Sequence, residues 1–240
     1  TASQSATYVP PLYLSPGDLL PNLRSMYRIL SIGLPQALEI GGIWIIQIYV
    51  LRVISGLGDA YVGAHNIAIR IESMSFLPGF AIGMAGATLV GQYLGARSVR
   101  LALETARKCV RYSVLFMGCM GVVFALWPDI FVEIFAAGSP ELSTATRPVV
   151  QAFLIIEPFY AAMLICKMCL RGAGDTRRVM WVSYGGMGFF RVLCLLVWYW
   201  LWPETLSLVG IWMLIACDML VEYLILRKML FGLRWARKKV

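Results

Sequence analysis

Charge is scarce in this 240-residue chain: Asp, Glu, Lys and Arg together make up 14% of it, where soluble domains use about 25%. With 60% hydrophobic residues and a mean hydropathy of +0.74, that deficit excludes an ordinary water-soluble domain. Histidine is scarcer still. His65 alone supplies no HExxH pair, no Ser/His set and no partner for a Cys/His zinc site, which needs about four ligands. Cys166-Lys-Met-Cys169 has the CxxC spacing, yet all six cysteines (Cys109, Cys119, Cys166, Cys169, Cys194, Cys217) fall in or beside apolar runs. They read as packing residues, and neither a metal site nor a cofactor is expected. The "GAGDTR" stretch lacks the lysine of a phosphate loop. Asp175 or Thr176 reads there as a helix cap instead.

What is present is a series of long apolar runs. A bilayer core about 30 Å thick takes about 20 apolar residues to cross as a helix, and six segments qualify: near 31–54, 61–94, 110–128, 147–171, 178–201 and 206–227. The fold class is therefore all-α, a polytopic six-helix membrane bundle over 29–240. Residues 1–28, rich in Pro, Ser and Thr, read as a cytoplasmic linker with a short amphipathic helix near its end. Pro78-Gly79 in the second segment predicts one long, bent helix; a re-entrant pair is the alternative. Gly79, Gly83, Gly91 and Gly95 stand at helix-packing spacing and place that helix in the bundle interior. On the stretch between the third and fourth spans, Ile130 to Ala136 reads as an interfacial helix beside Trp127 and Pro128.

The net charge of +8 does not call for nucleic acid, because the basic residues alternate by loop. Arg97, Arg100, Arg107, Lys108 and Arg111 follow the second span, Arg171, Arg177 and Arg178 the fourth, and Arg227, Lys228, Arg234, Arg237, Lys238 and Lys239 the sixth. The other connections carry mostly acids. The positive-inside rule then puts both termini in the cytoplasm of a cell that holds this protein in its plasma or inner membrane, with the bilayer as its first partner.

Ionisable residues at membrane depth face a partner, a cavity or a pathway. Gln36, Glu39 and Gln47 fall within an arc of about 80° on the first span, flanked by Pro35, Gly41 and Gly42. Glu157, Tyr160, Leu164, Lys167 and Arg171 share a similar face of the fourth span, with Pro158 directly after the acid. Glu39 and Glu157 are thus the candidate cation- or proton-coupling residues, since a desolvated carboxylate readily carries a proton and, beside carbonyls, can hold sodium. Gln36, Gln47, Arg70 and Tyr160 are candidate cavity residues; Arg70 can also pair with Glu72 or Glu157. Arg191 on the fifth span is expected to pair with Asp218 or Glu222 on the sixth. Lys167 and Glu222 are close enough to a span end to reach the interface, and His65 is expected at the outer edge.

Four stretches carry a resemblance: "GLPQALE" opening the first span, 62–96 with its "TLVGQYLGA" ending, "CLRGAGDTRR" (169–178) and "GIWMLIACDML" (210–220). Over residues 24–230 the chain resembles the second six-helix lobe of the multidrug and toxic compound extrusion (MATE) transporters. The resemblance implies two lobes joined by a cytoplasmic linker, exporting mostly cationic organic compounds in exchange for protons or sodium. The chain would then be the C-terminal lobe, beginning at the linker, and its partner the missing first lobe or a second copy of itself. In the family's best-known branches the coupling acids stand at positions occupied here by Ile43 and Tyr160, one turn beyond Glu39 and Glu157. The resemblance carries the coupling role to these two in a displaced register. Basic residues such as Arg70 and Arg191 facing the cavity would instead favour a relative that flips anionic or lipid-linked substrates. A membrane-embedded enzyme is the rival of another class.

Overall fold

The computed structural model describes residues 23–136 and 138–232. The described chain is a run of helices: α1 (Leu23–Ser55), α2 (Asp59–Gly95), α3 (Val99–Leu126), α4 (Pro128–Ala136), α5 (Pro140–Gly172), α6 (Thr176–Ser183), a π-helical segment (Tyr184–Arg191), α7 (Val192–Leu201) and α8 (Leu208–Phe231). The π segment joins α6 and α7 into one span, Thr176–Leu201. Among the described residues six helices are long and apolar enough to cross a membrane.

Most helices outrun their apolar stretches. α3 starts at Val99 and α5 at Pro140, because polar turns continue a helix that the bilayer has started; Arg100 and Glu104 even pair at 2.9 Å across one turn. Of the expected linker, residues 1–22 lie outside the described residues, and 23–28 are helical, part of α1. No Pro or Gly falls between Leu23 and Ile32 to stop that helix. α2 runs unbroken through Pro78.

The interior of the bundle belongs to α5 rather than α2. In α5, 61% of the most apolar window is buried, against 28% in α2, because α2, α3, α4 and α8 all pack on α5. The α2 glycines serve one face only. Gly79 accommodates Met117 of α3, and Gly83 accommodates Met168 of α5. Gly121 of α3 lets the Phe153 carbonyl approach to 2.7 Å of where a Cβ would stand.

The "LRGAGDT" turn has two separate glycine requirements. A Cβ at Gly172 would overlap the backbone of Ala87, so this residue sets how closely α5 crosses α2. Gly174 adopts φ +79° and closes α5: its amide donates to the Arg171 carbonyl at 2.9 Å and the Asp175 amide to Leu170 at 3.0 Å, the paired bonds of a Schellman end. α2 ends the same way, but with Arg97 at φ 58°. A left-handed non-glycine residue costs about 1–2 kcal/mol. Gly174→Ala is therefore expected to lower, and Arg97→Gly to raise, the thermal unfolding midpoint. Asp175 stands before α6 without a side-chain capping bond and pairs with Arg178 at 3.4 Å.

The end of the bundle holding the α2–α3 and α5–α6 turns carries Arg97, Arg100, Arg177 and Arg178; it is called the basic end below.

Candidate functional site

A cleft of about 530 Å³ opens between α1, α2, α5, the π segment and α8. α1 supplies Gln36, Glu39 and Gln47, and α5 supplies Tyr160, Lys167 and Arg171. The two sequence stripes thus face each other across one space. α2 contributes His65, Glu72, Phe76 and Phe80, and α8 contributes Trp212. Phe76 stacks on Tyr160 with ring centroids 5.7 Å apart. His65, about two turns into α2, lies 5.4 Å from the Trp212 ring and is 4% exposed, so its ring is packed inside the bundle.

Glu39 is buried and tied to two other helices. Its Oε1 accepts from Ser183 of α6 at 2.6 Å and forms a salt bridge with Arg171 of α5 at 2.8 Å. Lys167 Nζ stands 4.0 Å from the same oxygen and pairs with Glu222 of α8 at 2.5 Å. Lys167 and Glu222 are both buried. They do not reach the interface, because each is held inside by the other across the α5–α8 contact. Glu222 also accepts from the Met187 amide at 3.2 Å, inside the π segment. A Cβ at Gly186 would overlap the Glu222 side chain. Such one-turn widenings free backbone groups and recur at functional positions.

Arg191 pairs with both oxygens of Asp218, through Nε and through Nη2 at 3.0 Å. Of the two acids expected to pair with it, Asp218 is the one it takes, and Glu222 goes to Lys167. Glu157 is fully buried and accepts a hydrogen bond from Ser75 of α2 at 2.5 Å. It sits off the cleft lining, at one edge of its stripe, among α2, α3 and α5. Arg70 is exposed, lies off the lining and makes no ion pair among the described residues. The reason is helical phase: the α2 residues that line the cleft span an arc of about 100°, and Arg70 falls outside it.

Glu72 was no site candidate on sequence, yet it lines the cleft without a salt-bridge partner among the described residues. Arg191 and Glu157 lie within its electrostatic reach. The three basic side chains of the lining, Lys167, Arg171 and Arg191, each form a salt bridge with a carboxylate, and Glu72 forms none among the described residues. Several buried polar atoms of the lining have no hydrogen-bond partner among the described residues: Glu39 Oε2, Gln47 Oε1, His65 Nδ1, Arg171 Nε and Trp212 Nε1. Native interiors leave few such atoms unmet, so their convergence on one cleft marks it as a place for water or a ligand. Among the described residues no cluster of His, Cys, Asp and Glu is arranged for a metal ion.

The MatE family model matches residues 35–196, from within α1 to within α7. A probable multidrug resistance protein NorM from Thermotoga maritima is 29% identical over 233 residues, covering 95% of this chain and 48% of that protein. Another from Pseudomonas putida is 24% identical over 238 residues, covering 92% and 47%. Among solved structures, a MATE crystallised in complex with MaL6 superposes with a TM-score of 0.81 at 15% identity, over 92% of this chain and 50% of that one. A MOP superfamily transporter from Pyrococcus furiosus, described as having a binding pocket of reverse polarity, superposes with a TM-score of 0.66 at 18% identity, over 86% and 45%. The chain spans about half the length of the curated relatives it matches. With two-thirds of its sequence inside the family model, this membrane protein belongs to the MatE family.

Proposed function

We propose that the chain is one lobe of a two-lobed secondary transporter that exports organic cations in exchange for protons. The relatives' names and their doubled length support this reading, and the polar cleft carries it. Its unpaired Glu72, set among Phe76, Phe80, Tyr160 and Trp212, offers an organic cation a carboxylate and aromatic faces together. The second lobe comes from another stretch of the same protein or from a second copy. The start of α1 and the end of α8 lie on the basic side, which faces the cytoplasm of a cell whose plasma membrane holds the transporter, and no covalent chemistry is involved.

The coupling falls to Glu39. A proton on Glu39 removes the charge that holds Arg171 and steadies Lys167, which loosens α1 from α5 and α6. A proton needs a single carboxylate oxygen, whereas a sodium ion needs several oxygen ligands where Arg171 and Lys167 already stand beside Glu39. Glu157, held by Ser75 away from the lining, fastens α2 to α5. Lys167, Arg171 and Arg191 on the same lining favour a second reading, an anionic or lipid-linked substrate.

Tetraphenylphosphonium, a lipophilic cation, separates the two readings. Its binding to the purified chain, followed by quenching of tryptophan fluorescence, is expected to weaken at least tenfold in Glu72→Gln. Undiminished binding in that variant, or tight binding of an anion such as tetraphenylborate, would favour the anionic reading.

A further inference from the structure

A second, larger concavity lies outside the cleft. α3 and α8 both rest on α5 and barely touch each other, leaving a groove of about 1050 Å³ on the outer surface of the bundle. Its walls change character along their length. Arg107 and Arg111 of α3 and Arg227 and Lys228 of α8 line it toward the basic end, and no acid lines it anywhere. One helical turn or two deeper the wall is Val114, Leu115 and Leu224, with Leu115 about 12 Å along the axis from Arg107. Arg107 is held over the Phe231 ring, 5.3 Å from its centroid, so the charged mouth is partly ordered. The nearest acid on this face, Glu104, is engaged by Arg100.

We propose that this groove is a binding site for an anionic phospholipid. The phosphate lies among Arg107, Arg111, Arg227 and Lys228, and an acyl chain runs inward along Val114, Leu115 and Leu224. The positive-inside pattern explains why basic residues gather at this end of the bundle. It does not explain why four of them line one groove whose continuation is apolar, and that combination is the outline of a phospholipid entering from the basic leaflet. The fit requires both halves: phosphate alone needs no apolar wall, and a neutral lipid needs no cluster of arginines.

Native mass spectrometry of the intact chain, released from micelles doped with dioleoyl-phosphatidylglycerol or dioleoyl-phosphatidylcholine, tests this. One phosphatidylglycerol is expected to be retained in preference to phosphatidylcholine. The preference should fall about fivefold for each charge removed, as in Arg111→Gln with Arg227→Gln, and survive in Arg111→Lys with Arg227→Lys. Leu115→Trp, which obstructs the apolar half and leaves every charge in place, should also abolish retention. Equal retention of the two lipids overturns the proposal, as does a preference indifferent to the Gln pair. Displacement by inorganic phosphate with no effect of Leu115→Trp identifies a bare phosphate site and also overturns it. If phosphatidylglycerol is retained only after removal of residues 233–240, the chain's own end is the occupant. Should the Gln pair fail to fold, as judged by far-ultraviolet circular dichroism, the Lys pair and Leu115→Trp decide the matter.

Discussion

Arg191→Met alone is expected to lower the unfolding free energy of the detergent-solubilised chain by about 3–5 kcal/mol. The loss comes from Asp218 rather than from Arg191. Both side chains are buried, at 2% and 0% exposure, and the guanidinium meets both carboxylate oxygens. Removing it leaves a desolvated carboxylate facing the apolar contacts of α8, and an unpaired buried charge is among the costliest defects a fold can carry. Arg191→Met together with Asp218→Leu should recover most of the loss, since the two desolvation costs leave together. Arg100→Met, which breaks only the exposed Arg100–Glu104 pair, should leave the midpoint unmoved. Denaturant unfolding followed by circular dichroism reads all three. If the double variant is as unstable as Arg191→Met, the pair's partners lie elsewhere and the ion-pair account of this contact fails.

The second large effect concerns Glu39. Its carboxylate joins α1 to α5 through Arg171 and to α6 through Ser183, while Lys167 ties the same group to Glu222 and the π segment. One carboxylate thus holds three elements in a single arrangement, and neutralising it biases all of them. Because a proton at Glu39 and an organic cation at Glu72 are two positive charges in one cleft, each should weaken the other, and the coupling must be reciprocal. In the unaltered chain, tetraphenylphosphonium affinity is expected to fall as the pH is lowered. In Glu39→Gln, which mimics the protonated state permanently, the affinity should vary less with pH, the remaining dependence belonging to Glu72, the carboxylate that meets the cation. A Gln side chain retains an oxygen for Ser183, so the change removes charge with little change of shape.

Much of this was legible in the residues, and the illegible part has a common cause. Periodicity alone put Gln36, Glu39 and Gln47 on one face and Tyr160, Lys167 and Arg171 on another, and both faces meet in the cleft. Within a helix, phase is a local property and can be counted. Partnership across helices is not local. Arg171 and Ser183 are invisible as partners of Glu39 until α1, α5 and α6 are assembled, and Lys167 looked free to reach the interface because Glu222 lies on another helix. Arg70 has the charge of a cavity residue but not the phase: Glu72, two residues on, lies inside the lining arc of α2 and Arg70 lies outside it. The π segment had a signal, Gly185, Gly186 and Gly188 within four residues of an apolar span. The need behind Gly186 appears only when Glu222 occupies the space a side chain would take. The "LRGAGDT" turn was recognisable as a motif, but its two requirements, a close crossing at Gly172 and a left-handed residue at Gly174, are facts of the folded backbone.

The central claim, that Glu39 carries the proton exchanged for a cation in the cleft, is tested most directly by counting protons. The measurement is the pH change when tetraphenylphosphonium is added in saturating amount to the purified chain in weakly buffered detergent. The account predicts that the unaltered chain and Glu157→Gln release the same number of protons and that Glu39→Gln releases fewer, keeping only what the cation displaces from Glu72. Undiminished release from Glu39→Gln, or its loss in Glu157→Gln instead, would contradict it.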